Sequence, residues 1–341
     1  DAKRLCPQLK IVEARPDLYV FYHRQILKTL QSLNPHVEVK SIDEFNLKLT
    51  GFDQKKEHAL VLADKLKNKI KEEVGDYLKC SIGVSSSPWL AKVAGELHKP
   101  DGLAILPLES LPELYKKLKL IDLPGINFRM EHQLKTKKIY TCEDFYNSSL
   151  SSLSHWFGHN GRAWYFRLRG FELDEILGAT KSVGHSHVLS PQFRSRDCAR
   201  RVLSKMAEKC AKRLRAKKLW TNRVQISVSF LGGGYFSKYV KTNLICDSRS
   251  IRSTVMKLYD QISPGKLPLK VCVTLCDLKQ MSNQPISLFN DIEKSKKISH
   301  ALDQINDRFG DDTIYSASQF DTLEAAPSRI PFGDPGRLIG F

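Results

Sequence analysis

Residues 37–50 form a short stretch in which apolar and polar side chains alternate on both sides of an acidic pair. The apolar members are Val37, Val39, Phe45, Leu47 and Leu49. A period of two residues is typical of strands, so the stretch predicts a hairpin whose strands meet near Asp43 and Glu44. Adjacent carboxylates at the mouth of a hairpin suit a hard cation such as Mg²⁺. On its own, the pair is also typical of a solvated acidic turn.

The chain carries a large excess of positive charge. Its 341 residues include 54 Lys and Arg against 37 Asp and Glu, a formal net charge of +17. A soluble protein this basic usually binds a polyanion, with nucleic acid as the first candidate. No stretch approaches the ~20 consecutive apolar residues of a membrane span, and the eight cysteines form no C-x-x-C pair. We therefore expect a cytoplasmic protein with reduced thiols and no membrane partner.

The first half of the chain shows mixed helical and strand patterns. Apolar residues recur at helical spacing within 18–33, 60–74 and 88–97, and residues 80–84 resemble a short buried strand. Together with the hairpin, these elements predict an α+β layer with a divided sheet. The length of the chain is sufficient for two or more domains.

The second half predicts a compact α+β domain that is strongly basic. A helix over 194–218 precedes two strands, 224–230 and 235–241, and a helix over 248–262 precedes a strand at 269–275. The resulting β-α-β-β-α-β order is ferredoxin-like. Residues 181–241 contain fifteen Lys and Arg residues and two acids, so one helix face is predicted to be cationic.

Several short motifs occur in an order that is more specific than any one of them. They are Asp1-Ala2-Lys3-Arg4-Leu5-Cys6-Pro7, Ser41-Ile42-Asp43-Glu44, Cys80-Ser81-Ile82-Gly83-Val84-Ser85, Lys99-Pro100-Asp101-Gly102 and Lys181-Ser182-Val183-Gly184-His185. In this order they resemble the Y-family translesion DNA polymerases of the DinB/UmuC type, and the resemblance extends over essentially the whole chain.

The resemblance implies a domain plan. Its parts are the end of the fingers at 1–15, an incomplete palm at 16–106, a thumb with a helix-hairpin-helix at 107–178, a little finger at 179–281 and a C-terminal tail at 282–341. It also implies an upstream stretch with the first catalytic aspartate. Residues 1–341 alone are therefore expected to bind DNA while extending a primer hardly at all.

The resemblance also implies translesion DNA synthesis, which is template-directed nucleotidyl transfer by a two-metal mechanism. Asp43 and Glu44 would be the catalytic carboxylates and ligands of two Mg²⁺ ions, and Lys99 would bind the dNTP triphosphate. The chain departs from the family pattern after Glu44, where Phe45 and Asn46 replace a small residue and an aromatic. A non-catalytic DNA- and clamp-binding accessory protein of the damage response therefore remains the alternative.

Two regions are predicted to hold primer-template DNA. Leu123-Pro124-Gly125-Ile126-Asn127 resembles a helix-hairpin-helix turn, in which Gly125 and Asn127 would offer backbone N–H groups to a phosphate. Asn127 stands where a second glycine is usual, and Asn tolerates left-handed backbone geometry, so the turn is expected to persist. The predicted DNA contacts of the basic domain are Arg194, Arg200, Arg201, Arg213 and Arg215.

A polar tract follows the last predicted domain. Within it, Gln284, Leu288 and Phe289 resemble a sliding-clamp peptide with one residue more than the commonest spacing. A plain linker is the other interpretation of this tract. The protein is expected to act as a monomer.

Overall fold

The computed structural model describes residues 2–12, 14–173, 181–281 and 292–327. The chain divides into two compact units, one formed by residues 1–175 with 329–341 and the other by residues 176–328. Each unit has its own hydrophobic core.

The first unit begins with two helices that support the predicted hairpin. After a short helix α1 (Ala2–Leu5), helices α2 (Pro16–Leu33) and α3 (Lys56–Glu73) bury Leu30, Leu66 and Ile70 in a shared core. Strands β1 (Val37–Val39) and β2 (Phe45–Leu47) pair antiparallel and pack their apolar side chains against this core. The hairpin prediction is therefore confirmed.

A β-α-β element follows the hairpin. Strand β3 (Ile82–Ser85) and strand β4 (Leu103–Leu106) are parallel and are connected through helix α4 (Pro88–Leu97). At Gly83, a Cβ would lie 1.9 Å from the Ala91 carbonyl oxygen, so only glycine allows β3 to approach α4 this closely. The two strand pairs form separate sheets, and no strand joins them within the described residues.

A helical region completes the described part of this unit. It contains α5 (Leu111–Lys117), α6 (Phe128–Thr136), α7 (Cys142–Asn147) and α8 (Leu150–Arg167). Tyr115, Phe145 and Leu153 are fully buried between these helices. Burial raises the pKa of the Tyr115 hydroxyl, which donates a hydrogen bond to the Leu168 carbonyl oxygen at 2.8 Å.

The second unit is a four-stranded antiparallel sheet covered by helices on one face. Its elements in chain order are β5 (Ser182–Val188), α9 (Arg196–Ala216), β6 (Leu219–Phe230), β7 (Tyr235–Ile245), α10 (Ser248–Tyr259) and β8 (Pro268–Gln280). The strand order across the sheet is β5-β8-β6-β7. Val224, Ile226 and Val228 face the helices and are fully buried. The predicted β-α-β-β-α-β topology and the α+β class are thus confirmed.

A C-terminal segment, residues 292–327, packs on α9. It begins with helix α11 (Ile292–Phe309) and ends near Ala325 and Ala326, which are buried in the core of this unit. Lys205 on α9 is 1% exposed, and its ammonium group pairs with Asp312 at 2.9 Å. The polar face of α9 is therefore largely occupied by this segment. None of the helices in the described ranges is sufficiently long and apolar to cross a membrane.

Candidate active site and nucleic-acid interface

The acidic pair lies in a tight turn between β1 and β2. The Lys40 and Ser41 N–H groups both donate to the Glu44 carbonyl oxygen, at 2.9 and 3.2 Å. The Ser41 hydroxyl donates to Asp43 Oδ1 at 2.6 Å and accepts from the Asp43 N–H at 3.3 Å. Asp43 and Glu44 are both exposed, so the turn presents two carboxylates to a ligand arriving from solvent.

His23 of α2 supports this turn from below. Its Nδ1 donates to the Ile42 carbonyl oxygen at 2.7 Å, and its ring stacks on Phe45 with centroids 5.1 Å apart. The side chain is 2% exposed, and its Nε2 has no hydrogen-bond partner within the described part of the chain. The sequence analysis missed His23, although it precedes Ile26 and Leu30 at the three- and four-residue spacing of the buried face of α2.

Lys92 of α4 is the lysine that reaches the acidic turn. Its Nζ lies 2.5 Å from Glu44 Oε1, and both side chains are nearly half exposed. Lys99, which is predicted to bind triphosphate, follows the end of α4 and pairs with Glu96 of that helix at 2.6 Å. Exposed pairs of this kind are worth at most about 1 kcal/mol, so a phosphate could displace either partner.

The Lys99–Gly102 loop is fixed by a lysine from α3. Lys67 donates to the Asp101 carbonyl oxygen, and its Nζ lies 3.2 Å from Asp101 Oδ1. The hydrogen bond from Lys67, followed by the one from the Cys80 N–H, lowers the pKa of the Asp101 carboxyl. Burial raises the pKa of the neighbouring Cys80 thiol. These contacts hold the loop against the start of β3.

The acidic turn fits part of a Mg²⁺ coordination shell. Mg²⁺ is commonly held by one or two carboxylates together with water and substrate phosphates, and Asp43 and Glu44 supply two such carboxylates. Among the described residues, no group of three or more His, Cys, Asp or Glu side chains is placed to enclose a metal ion. The turn therefore fits an open Mg²⁺ site, in which substrate phosphates supply the remaining ligands.

The predicted helix-hairpin-helix turn is present, but Asn127 does not have left-handed backbone geometry. Gly125 has the positive φ of 96° in this turn, and the indole of Trp89 donates to the Pro124 carbonyl oxygen at 2.9 Å. Asn127 has a φ of −105° and caps α6, because its side-chain oxygen accepts from the Met130 N–H at 3.0 Å. The prediction that Asn127 uses left-handed geometry is wrong.

All five arginines predicted to contact DNA have partners inside their own unit. Arg194 donates to the Leu189 carbonyl oxygen at 3.0 Å, and Arg213 donates to that of Gly184 at 3.2 Å. Arg200 pairs with Asp260 at 3.1 Å, whereas Arg201 lies 3.6 Å from Asp321. Arg215 forms two hydrogen bonds of 2.7 Å to Asp303 and is nearly buried.

The face of the sheet opposite the helices is the polar surface that the sequence analysis missed. We call it the outer sheet face; it includes Arg223, Gln225, Ser227, Tyr239, Lys241 and Lys270. Arg223 pairs with Asp277 at 2.8 Å, and its guanidinium lies 4.9 Å from the centre of the Tyr239 ring. The period-two pattern of 224–230 contains the signal, because Gln225 and Ser227 alternate with the buried Val224, Ile226 and Val228.

The suggested clamp peptide, with Gln284, Leu288 and Phe289, lies outside the described residues. Its function therefore stays a prediction from the sequence.

The elements described above define a class of protein. A β-α-β element beside an acidic hairpin, a helical region with a helix-hairpin-helix turn and a ferredoxin-like basic domain correspond to the palm, thumb and little finger of a polymerase. Comparison with known families assigns the chain more narrowly. The impB/mucB/samB family profile matches residues 1–96, its C-terminal domain matches residues 180–288, and the DNA polymerase-iota thumb domain matches residues 121–172. The chain belongs to the Y-family of DNA polymerases.

Individual relatives agree with this assignment. The chain is 28% identical over 323 residues to DNA polymerase IV of Pelotomaculum thermopropionicum, covering 93% of this chain and 80% of the relative. It is 29% identical over 326 residues to DNA polymerase IV of Moorella thermoacetica, with the same coverage. A solved Y-family chimera of Dbh and Dpo4 superposes with a TM-score of 0.65, at 20% identity and over 82% of this chain and 81% of the chimera. The superposition shows a shared fold.

Replacing His23 by alanine is expected to loosen the acidic turn. The change removes the hydrogen bond to Ile42 and leaves a cavity beneath Phe45, a combined cost of about 1–3 kcal/mol. Amide hydrogen exchange at Lys40 and Ser41, whose N–H groups close the turn, should become faster. His36→Ala, at an exposed position beside β1, is the matched control. Equal exchange rates in the two variants would contradict a supporting role for His23.

Proposed function

We propose that this chain performs template-directed nucleotidyl transfer to a primer 3′ end as a translesion DNA polymerase of DNA damage tolerance. The observation that carries the proposal is the paired exposure of Asp43 and Glu44 in a turn of the palm of a Y-family chain. The assignment to DNA polymerases in general is supported by the two relatives that are named DNA polymerase IV. The catalytic roles below are inferred from the position of each side chain.

Asp43 and Glu44 would hold Mg²⁺ through their carboxylate oxygens. When bound, the metal ions activate the attacking hydroxyl and offset the charge of the phosphoryl group. Lys92 neutralises Glu44 before ligands arrive and so keeps the two adjacent carboxylates from repelling each other in the empty turn. Lys99 follows α4 and pairs with Glu96. When the dNTP arrives, Lys99 would release Glu96 and bind a triphosphate oxygen.

The DNA would be held by surfaces that the arginine pairs do not occupy. The outer sheet face carries Lys241 and Lys270 as well as hydroxyl and amide side chains. This combination is suited to backbone phosphates and groove edges. The turn at Gly125 offers backbone N–H groups to a phosphate of the thumb-bound duplex. Arg215 is not included, because its donors are committed to Asp303, Cys246 and Ser248.

The domain limits at 15, 106, 178 and 281, the monomeric state and the sliding clamp as a partner remain part of the proposal. The clamp contact depends on Gln284, Leu288 and Phe289, which stand in a polar tract after the little finger.

A non-catalytic DNA- and clamp-binding accessory protein is the second candidate. It is favoured by the residues after Glu44, because Asn46 and Lys48 stand where the family commonly has an aromatic residue and an acid. The absence of a three-carboxylate group among the described residues fits this candidate as well. Both candidates bind DNA, so only an assay of chemistry separates them.

Mg²⁺-dependent primer extension tests the proposal. The assay uses the chain preceded by the fingers and first palm strand of a family member, because the family resemblance places a further catalytic aspartate there. Slow nucleotide addition that requires both Mg²⁺ and the template is the expected result. DNA binding without any extension under these conditions would favour the accessory protein.

The outer sheet face is tested by the salt dependence of duplex binding. For contacts to backbone phosphate, the slope of log affinity against log salt is about −0.9 per neutralised phosphate. The double variant Lys241→Gln with Lys270→Gln should therefore make the slope shallower by the contribution of about two phosphate contacts. Lys294→Gln with Lys297→Gln removes the same charge from α11 and is the control. Equal slopes in the two double variants would remove the outer sheet face from the proposal.

A further inference from the structure

A cationic pocket lies between α9 and α10, on the helical side of the little finger. Its volume is about 230 Å³. The residues that define it are Arg200, Arg201, Arg249, Arg252, Ser253 and Ser318. We call it the arginine pocket. Helices α9 and α10 cover the inner face of the sheet, so this pocket is separate from the outer sheet face.

The arginines of the pocket are unequally paired. Arg249 has no ion-pair or hydrogen-bond partner among the described residues. Arg252 lies 3.8 Å from Glu208 and Arg201 lies 3.6 Å from Asp321, and both distances are too long for a hydrogen bond. Arg200 alone is held closely, by Asp260 at 3.1 Å. Three guanidinium groups therefore retain donors for an incoming acceptor.

Glu208, the acid beside Arg252, is also bonded to a residue outside the pocket lining. Glu208 accepts a hydrogen bond from the Gln319 amide, and burial raises the pKa of its carboxyl. The Ser204 and Ser318 hydroxyls lie 2.8 Å apart at the side of the pocket, and Ser253 is exposed on α10. Donors thus outnumber acceptors at this opening, which is the arrangement that an oxyanion completes.

We propose that the arginine pocket binds a phosphate group of a nucleic-acid strand, at a contact distinct from the outer sheet face. The cavity is smaller than the roughly 300–1,000 Å³ of pockets that enclose drug-sized ligands, so it accommodates a phosphate with part of its sugar and not a whole nucleotide. Arginine forks suit phosphate oxygens better than ammonium groups do.

Nucleic acid is the source of the phosphate that the observations favour. Met256 is the apolar residue of the lining, so the pocket offers little surface for the side chains flanking a phosphorylated residue of a peptide. The chain as a whole has the net charge of a polyanion-binding protein. The choice of nucleic acid rests in part on the proposed polymerase function, whereas the phosphate site does not.

Binding of a fluorescent single-stranded oligothymidylate to the full chain tests the site. Arg249→Gln with Arg252→Gln should weaken binding about 3- to 10-fold and flatten the salt slope by about 0.7 for each lost phosphate contact. Ser253→Glu leaves every arginine in place but puts a carboxylate into the opening, and it should weaken binding similarly. Lys217→Gln, at the C-cap of α9, with Lys257→Gln on α10 removes equal charge outside the pocket and should leave the slope nearly unchanged.

Each outcome decides one point. Equal losses in the pocket and control variants would overturn the site, because the effect would then come from general charge. A phosphoserine peptide that binds through Arg249 and Arg252 while the oligonucleotide does not would overturn the nucleic-acid assignment. Primer extension is measured on the same variants in the extended protein. Extension without pocket-dependent binding contradicts only this inference, and pocket-dependent binding without extension contradicts only the polymerase proposal.

Discussion

In the chain preceded by the fingers and first palm strand of a family member, Asp43→Ala is expected to slow single-turnover primer extension by about 10³-fold or more, equivalent to roughly 4 kcal/mol of transition-state stabilisation. Two divalent cations near a primer end repel each other strongly, so such a site depends on each of its few anionic ligands. The turn contributes Asp43 and Glu44, and the Ser41 hydroxyl already orients the Asp43 carboxylate. Removing Asp43 therefore removes one of the two carboxylates of the turn.

The controls separate chemistry from folding. Asp43→Asn keeps the size of the side chain and should be almost as slow, since an amide lacks the charge. Asp76→Ala removes an exposed carboxylate that follows α3 and should extend primers at the parental rate. DNA affinity should be nearly the same in all three proteins. If Asp43→Ala and the parent extend primers at equal, measurable rates, Asp43 is outside the active site and its proposed catalytic role is wrong.

Elements with local causes could be predicted from the sequence. Apolar alternation depends on residues two positions apart, so it located the hairpin of 37–50 and the strands β6 and β7. The spacing within 88–97 likewise located α4, whose start is set by the N-cap at Ser87 and the proline that follows it. Helix and strand order then gave the topology of the little finger.

Interactions between distant residues could not be predicted in this way. The charged face of α9 has the pattern of a solvated surface, but Lys205, Lys212 and Arg215 pair with Asp312, Asp307 and Asp303 of the C-terminal segment. Helical periodicity identifies a polar face without saying what covers it. The matching signal was present in the acids at 303 and 307, which stand one helical turn apart on α11.

The candidate active site also combines residues that a local pattern predicts with contacts from distant residues that it does not. Asp43 and Glu44 follow from a local pattern, whereas the contacts from His23 and Lys92 bring side chains from positions 19 and 48 residues away. The conformation of Asn127 illustrates a different difficulty. Asn suits both left-handed turns and helix N-caps, and the hydrogen bond to the Met130 N–H decides between them.

Arg215→Ala is expected to destabilise the little finger by about 3–5 kcal/mol, the usual cost of removing one partner from a buried ion pair. Arg215 is the most heavily bonded of the predicted DNA contacts. It donates twice to Asp303 at 2.7 Å, to the Cys246 carbonyl oxygen at 2.9 Å and to Ser248 at 3.2 Å. The alanine variant leaves the Asp303 carboxylate, which is 20% exposed, without its guanidinium. Urea denaturation of the full chain measures the change.

A double-mutant cycle separates the ion pair from the rest of the Arg215 contacts. Asp303→Ala should also be strongly destabilising, and the double variant should cost much less than the sum of the two, because it leaves no uncompensated charge. Glu113→Ala breaks the exposed pair with Lys116 and should leave the unfolding curve nearly unchanged, because solvent screens such a pair. If Arg215→Ala leaves the unfolding curve unchanged but lowers DNA affinity and the salt slope, the arginine is a phosphate contact. The original prediction from the sequence would then be correct, and the packing of α11 would not depend on this pair.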